Sequence, residues 1–230
     1  MTSADNYLPL LPQEGSGLSL PMELLLISLR PNGSHRNALQ VDTGIAGAAL
    51  IELVLAEKID LVDKTVILLD DRPTGRASLD SVLDDIAADP RPRKAKRWIW
   101  RHRAKMPALV GEELAQLCLV DHKRPKVLGI FSYHRFPPRD PASAVEVTER
   151  LWRAMSGDDP DDRTIILAML VQAVALSGRI LRGIGWGERR RRLRQLQDQP
   201  WRSESVAQAV KAIKQAIAEI TAAATAAASS

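Results

Sequence analysis

The chain has 230 residues, 45% of them hydrophobic, with a formal net charge of +4. That is enough for one domain with a sizeable core, or two small ones, and no Pro/Gly/Ser linker or internal repeat divides it. Cys118, the single cysteine, excludes an internal disulfide and a cysteine-based zinc site, and the apolar stretches fall short of the ~20 residues that span a bilayer. The opening MTSADNYLPLLPQEGSG has neither a basic n-region nor a long apolar run, so no signal peptide is expected. A reducing cytoplasm suits this cysteine usage.

In chain order, residues 1–20 read as a flexible arm, residues 21–221 as the folded domain and residues 222–230 as a low-complexity tail. Pro21 to Leu29 predicts a short buried helix that stops before the turn Pro31-Asn32-Gly33. Gly44 to Glu57 predicts a central core helix. Ile45, Ala49, Leu53 and Ala56 share one face, and Gly47 and Ala48 allow close packing. Ile59 to Leu61 and Thr65 to Leu69 flank Asp63-Lys64 as a β-hairpin. In PTGRASLDSVL, residues 73–83, Pro73 sets a turn, Thr74 is the expected N-cap, Gly75 permits tight entry, and Leu79 and Leu83 enter the core. Helices are predicted at 107–120, 141–155, 161–182, 187–197 and 203–227, with a second hairpin or extended edge over Lys126 to Tyr133. The fold class is mainly α: a single domain with a core helix bundle wrapped by amphipathic helices and small β-hairpins. Without βαβ alternation a Rossmann-type sheet is not expected.

Catalytic and metal chemistry find little support. His35, His102, His122 and His134 are scattered, with no HExxH and no i,i+4 pair, so no metal is expected. No nucleophile elbow or Walker loop occurs, and no cofactor is expected. Cys118, between Leu117 and Leu119, reads as a buried structural thiol. Asp70-Asp71 and Asp84-Asp85 read as solvated faces. A phosphate could sit at the PTG helix start with help from Arg76. Asp70, Asp71, Asp80 and Asp84 repel an anion there, so the structural reading prevails.

Charge is distributed unevenly. Residues 91–105, RPRKAKRWIWRHRAK, carry eight Lys/Arg, two Trp and no acid, and residues 188–194, ERRRRLR, add five arginines. Such patches point to an anionic partner: a membrane surface, a nucleic acid or a phosphorylated ligand.

The order LPMELLLISL, GAALIELVLAEKIDL, a short hairpin and PTG-x-x-x-LD-x-x-L resembles the Golgi phosphoprotein 3 family. VGEELAQLCLV, RPKVLGIFSYHRFP and DDRTIILAMLVQAV extend the likeness over roughly residues 21–220. The Ala-, Arg- and Asp-rich composition is similar to that of bacterial members. The resemblance implies a non-enzymatic, cytoplasmic, peripheral membrane adaptor that binds phosphatidylinositol 4-phosphate and recruits client proteins. The family's headgroup pocket uses a Trp, an Arg and two basic residues. These would fall near Asn37 or Ala38, at Ala46, and at about Ala108 and Gly111, none of which supplies charge or an aromatic ring. Neighbouring residues are expected to take their place: His35 and Arg36, then Arg97, Trp98, Trp100, Arg101, Arg103 and Lys105, forming a basic, Trp-containing face for an anionic phospholipid or phosphoinositide-like headgroup. The matching hairpin, with Leu128, Ile130, Phe131, Tyr133 and Phe136, is expected to be a homo-oligomer contact or a membrane-inserting tip. The alternative is a nucleic-acid binder using residues 91–105 and 188–194, which the family does not support.

Overall fold

Helix α2, Ala38–Leu55, is apolar around nearly its whole circumference, and 13 of its residues are buried. In a soluble chain such a helix must be surrounded, and it packs against α1 (Leu20–Ser28), α3 (Ala77–Ala88), α4 (Ala95–His102), α5 (Met106–Gln116), α7 (Asp162–Ala173) and α10 (Glu204–Ala228). Its length and composition would also suit a membrane span, but most of it is buried inside the protein. The computed structural model describes residues 17–127, 131–198 and 203–228; of the arm expected at residues 1–20, residues 1–16 lie outside them, and Leu18, Ser19 and Leu20 are buried.

The small residues of α2 are where its neighbours come closest. A Cβ on Gly44 would overlap Val174, and one on Gly47 would stand 2.9 Å from Ile217 Cδ1. Gly44 thus seats the end of α7, and Gly47 seats α10. At the other side of the core, Glu52 accepts the Leu20 N–H at 2.7 Å and takes both terminal nitrogens of Arg163 at 3.0 Å. Arg163 also donates to the Leu18 carbonyl at 2.8 Å. One buried ion pair therefore ties the entry of α1 to α2 and α7.

Strands β1 (Ile59–Val62) and β2 (Thr65–Leu68) pair antiparallel with Val62 opposite Thr65. Asp63 and Lys64 between them both have positive φ, 49° and 65°, the conformation of a two-residue I′ turn. A third strand that the sequence did not announce, β3 (Arg93–Lys94), pairs with β2. Strands β4 (Lys126–Val127) and β5 (Phe131–Ser132) form the second hairpin, and α6 (Ala142–Ser156), α8 (Ser177–Ile180) and α9 (Trp186–Gln197) complete the wrapping. The mainly α, single-domain expectation holds.

The PTG motif is structural, with one correction. The N-cap of α3 is Arg76, not Thr74. Thr74 acts two residues earlier: its hydroxyl donates to Asp80 Oδ1 at 2.6 Å and accepts the Arg76 N–H at 3.2 Å. Gly75 has φ 81°, which only glycine adopts without strain. The helix end receives an anion from within the chain, because buried Glu113 on α5 accepts the Ser78 N–H at 2.7 Å and the Ser78 hydroxyl at 2.9 Å. Burial raises the pKa of Glu113 against these two hydrogen bonds. A phosphate would compete with this carboxylate for the same N–H.

Candidate anion-binding site

The connection between α1 and α2 is a tight turn. Ser34 O accepts the Arg30 N–H at 2.7 Å, Arg30 O accepts the Gly33 N–H at 2.8 Å, and Asn32 Oδ1 accepts from the Ser34 N–H and hydroxyl. Leu29 bridges His35, and the Arg36 N–H returns to Ser28 O at 3.2 Å. Arg30 and Arg36 are thereby held at one end of the turn. His35 is fixed beside them, its Nε2 2.6 Å from Asp42 Oδ1.

Asn37 then opens α2 in the left-handed region, with φ 46° and no side-chain cap. Its Nδ2 instead donates to the carbonyls of Val174 and Ala175, each at 3.4 Å. That contact brings the end of α7, and so α8, to the N-terminus of α2. Arg189 on α9 donates to Ser177 O and Leu181 O at 3.1 and 3.3 Å, while Leu181 is buried. This fixed turn presents Arg179 and Arg182.

Arg30, Arg36, Arg179 and Arg182 therefore form one cluster. The Arg36 pKa is lowered by burial first, then by Arg179, Arg30 and Arg182. An arginine does not deprotonate in a protein; behind the larger effect of burial, the three like-charged neighbours place Arg179, Arg30 and Arg182 around Arg36. Among the described residues no carboxylate pairs with any of the four. The uncapped N–H groups of α2 point the same sign of dipole at this corner. Trp186, 69% exposed, follows Arg182 by four residues and so lies within about 14 Å of it along the chain. Arg190 stacks on it at 5.4 Å. The arrangement can hold a multiply charged anion beside an exposed indole.

The stretch at 91–105 behaves differently. Four of its eight cations are paired: Arg93 with Asp89 at 3.1 Å, Lys96 with Glu219 at 3.0 Å, and Arg101 and Lys105 with Asp85 at 3.1 and 3.3 Å. The acid absent from the stretch comes from α3, from Asp89 at its end, and from α10. Trp98 is only 2% exposed, which corrects its expected place on an outer face: α4 turns Trp98, Ile99 and His102 inward. Trp100 is exposed, with Arg103 3.9 Å above its ring, and Arg97 is exposed. In ERRRRLR, Arg189 and Arg192 are turned onto backbone carbonyls, leaving Arg190, Arg191 and Arg194 outside.

A family model for Golgi phosphoprotein 3 (GPP34) matches residues 20–213. The chain belongs to that family. No curated protein matches it. Golgi phosphoprotein 3-like proteins are non-enzymatic adaptors associated with membranes. In this member two of the headgroup positions implied by the resemblance are closed, while Asn37 and Ala38 are exposed. Ala46 is buried in the core, and a Cβ on Gly111 would overlap the ring of Phe136. Phe136 is 3% exposed, so it is corrected from a hairpin tip to a plug over α5. Tyr133 is exposed, with Arg135 4.9 Å from its ring. Leu128 and Ile130 lie outside the described residues, and Phe131 is placed only as part of β5. Cys118 is exposed, contrary to the expected buried thiol.

Sequence reasoning named Arg36 for an anion site and did not name Arg30, Arg179 or Arg182, which the fold brings beside it. Arg30 stands alone in its segment, and Arg179 and Arg182 are separated by two apolar residues, so no charge run marks them. The spacing of Arg179 and Arg182 in SGRILRG, with no acid nearby, was the available signal.

Proposed function

We propose that this chain is a non-enzymatic, cytoplasmic, peripheral membrane adaptor that binds an anionic lipid headgroup at the Arg30, Arg36, Arg179 and Arg182 cluster, with Trp186 entering the interface. The observation that carries the reading is that, among the described residues, no carboxylate pairs with these four cations, whereas half of those at 91–105 have such a partner. A paired cation has already spent its charge. Unopposed basic residues contribute about 1 kcal/mol each at an anionic surface, so four supply roughly a thousandfold in affinity. His35 braces the turn through Asp42. Arg97, Trp100 and Arg103 are secondary contacts, and Arg101 and Lys105 stay with Asp85. Without a closed Golgi-type pocket, acidic phospholipid in general supports binding, and phosphatidylinositol 4-phosphate adds through its extra charge.

A cavity of about 470 Å³ beside Leu55, Ile59 and Val206 is edged by Glu52, Glu57, Asp60, Asp161 and Asp162. Its acidic rim and apolar lining suit a basic client segment. The hairpin at Tyr133 remains the candidate for a second membrane contact or a homo-oligomer contact. The nucleic-acid reading is the weaker one, because its two basic stretches are partly consumed by ion pairs and carbonyl clamps.

The test is co-sedimentation with phosphatidylcholine vesicles with and without phosphatidylglycerol or phosphatidylinositol 4-phosphate. Arg36→Gln/Arg179→Gln/Arg182→Gln should lose binding to acidic vesicles, and Arg97→Gln/Arg101→Gln/Arg103→Gln should keep most of it. The reverse order would move the site to α4. Binding to duplex DNA but not to vesicles would replace the reading altogether.

A further inference from the structure

The four histidines are separated in sequence, but two of them meet in space. Lys123 and Arg135 form an antiparallel bridge, with N–H to O distances of 2.9 and 2.8 Å in the two directions. Side chains alternate across a strand pair, so residues 122, 124, 134 and 136 share one face. His122 lies across from Phe136, their rings stacked 5.0 Å apart, and His134 takes the diagonal place, 5.1 Å from His122. That face looks onto α5, where Gly111 admits the Phe136 ring. The next residue, Glu112, is thereby brought up to the two imidazoles.

We propose that Glu112, His122 and His134 form a site for one divalent transition-metal ion, zinc by preference, which fastens the base of the β4–β5 hairpin to α5. The three ligand atoms lie within 4.8 Å of one another. His122 Nε2 is 3.0 Å from His134 Nδ1, and His134 Nδ1 is 3.8 Å from Glu112 Oε1. Tetrahedral zinc with bonds of about 2.0–2.1 Å holds its ligand atoms about 3.4 Å apart, between these two values. Two imidazoles and a carboxylate select zinc, cobalt, nickel or copper over magnesium or calcium. Water completes the shell. The ligands come from α5 and from both sides of the hairpin base, so the ion adds a further tie to segments already joined by the bridge, by Phe136 and by the Arg124–Glu112 pair.

One group opposes the ion. Arg124 donates its Nη2 to Glu112 Oε1 at 3.0 Å and its Nε to His122 Nε2 at 3.3 Å. A guanidinium therefore occupies the same lone pairs. Its side chain is 59% exposed, so it can swing into water when the metal enters. The site is thus a contest between two cations, and this gives the test a sign that unfolding cannot imitate.

The experiment uses the full chain without an affinity tag, stripped with a chelator and titrated with Zn2+ against a chromophoric competitor, with Co2+ absorption as a report on coordination. One ion per chain is expected, with a rise in Tm on zinc addition. His122→Ala and His134→Ala should each weaken binding by more than the roughly 10–100-fold that loss of a supporting outer residue costs. Arg124→Ala should bind more tightly, and Cys118→Ser should bind as the parent does. Absence of stoichiometric binding, or binding unchanged in both histidine variants, overturns the proposal and leaves an ion pair centred on Arg124. Weaker binding by Arg124→Ala overturns it equally, and circular dichroism on each variant separates lost ligands from lost fold.

Discussion

At the scale of single residues, His102 is the most telling. It is 1% exposed, and neither ring nitrogen has a hydrogen-bond partner among the described residues. Its Nε2 lies 3.1 Å from Asp85 Oδ2, close enough for attraction but out of line for a hydrogen bond. Burial pushes its pKa down to about 4, helped by Lys105 and Arg101 and opposed by Asp85. An unfolded histidine titrates near pH 6.5. Between these values the unfolded chain binds the proton and the folded chain does not, so stability falls as pH drops. The contribution is complete above about pH 6.5 and is lost by about pH 4, amounting to at most roughly 3 kcal/mol. Carboxylates titrate in the same window, so the difference from a variant is what matters. Urea midpoints of the parent and of His102→Phe should converge or cross as pH falls from neutral to about 4. Parallel curves would show that this ring is not the group responsible.

At the scale of elements, helix ends explain where sequence and structure part. Three helices stop in the same way. After α2, α5 and α7, the residues Glu57, Cys118 and Ala175 have φ of 54°, 59° and 58°. The next N–H in each case, from Lys58, Leu119 or Leu176, reaches back to the carbonyl of Leu53, Leu114 or Val171 at 2.9–3.0 Å. This is the Schellman arrangement, whose left-handed residue is usually glycine. None of the three is glycine here, so the sequence lacks the stop signal, and the helices predicted at 107–120 and 161–182 run past their true ends. The exposure of Cys118 has the same origin: a residue just beyond a helix leaves the face that its periodicity predicts. Most helices were legible because core spacing recurs in every turn, and the β1–β2 hairpin was legible because Asp63-Lys64 separates two apolar runs; α4 was not, because its two turns lie within the basic run at 91–105. The anion cluster was not, since it depends on a long-range contact of Asn37 with the end of α7. Cys118→Gly and Ala175→Gly should each stabilise the protein, by about 0.5–1 kcal/mol, because glycine enters the left-handed region without a Cβ penalty. Thermal melts would read this as a rise of roughly 1–4 °C for a protein of this size. A fall in Tm would mean that the lost side-chain contacts outweigh the backbone gain.

At the scale of the whole molecule, α2 is the hub, and the Arg163–Glu52 pair joins the entry of α1 and the start of α7 to it. Glu52 is almost fully buried and Arg163 largely so, and between them they hold Leu18, Leu20, α2 and α7. The core could dispense with the pair if both partners were replaced by apolar groups of similar size, since burying two charges carries a desolvation penalty close to their attraction. Removing one partner is a different matter. Arg163→Ala leaves the Glu52 carboxylate in the core with the Leu20 N–H as its partner among the described residues, and also removes the bond to the Leu18 carbonyl. We expect a loss of about 3–5 kcal/mol, read from the urea midpoint, with Arg163→Met/Glu52→Gln recovering most of it. Because this pair also walls the acidic cavity, the double variant separates two roles that any single change confounds. If it restores stability and a basic client peptide still binds, the pair is architectural. If stability returns while the peptide is lost, the negative charge of Glu52 belongs to the recognition surface as well as to the core.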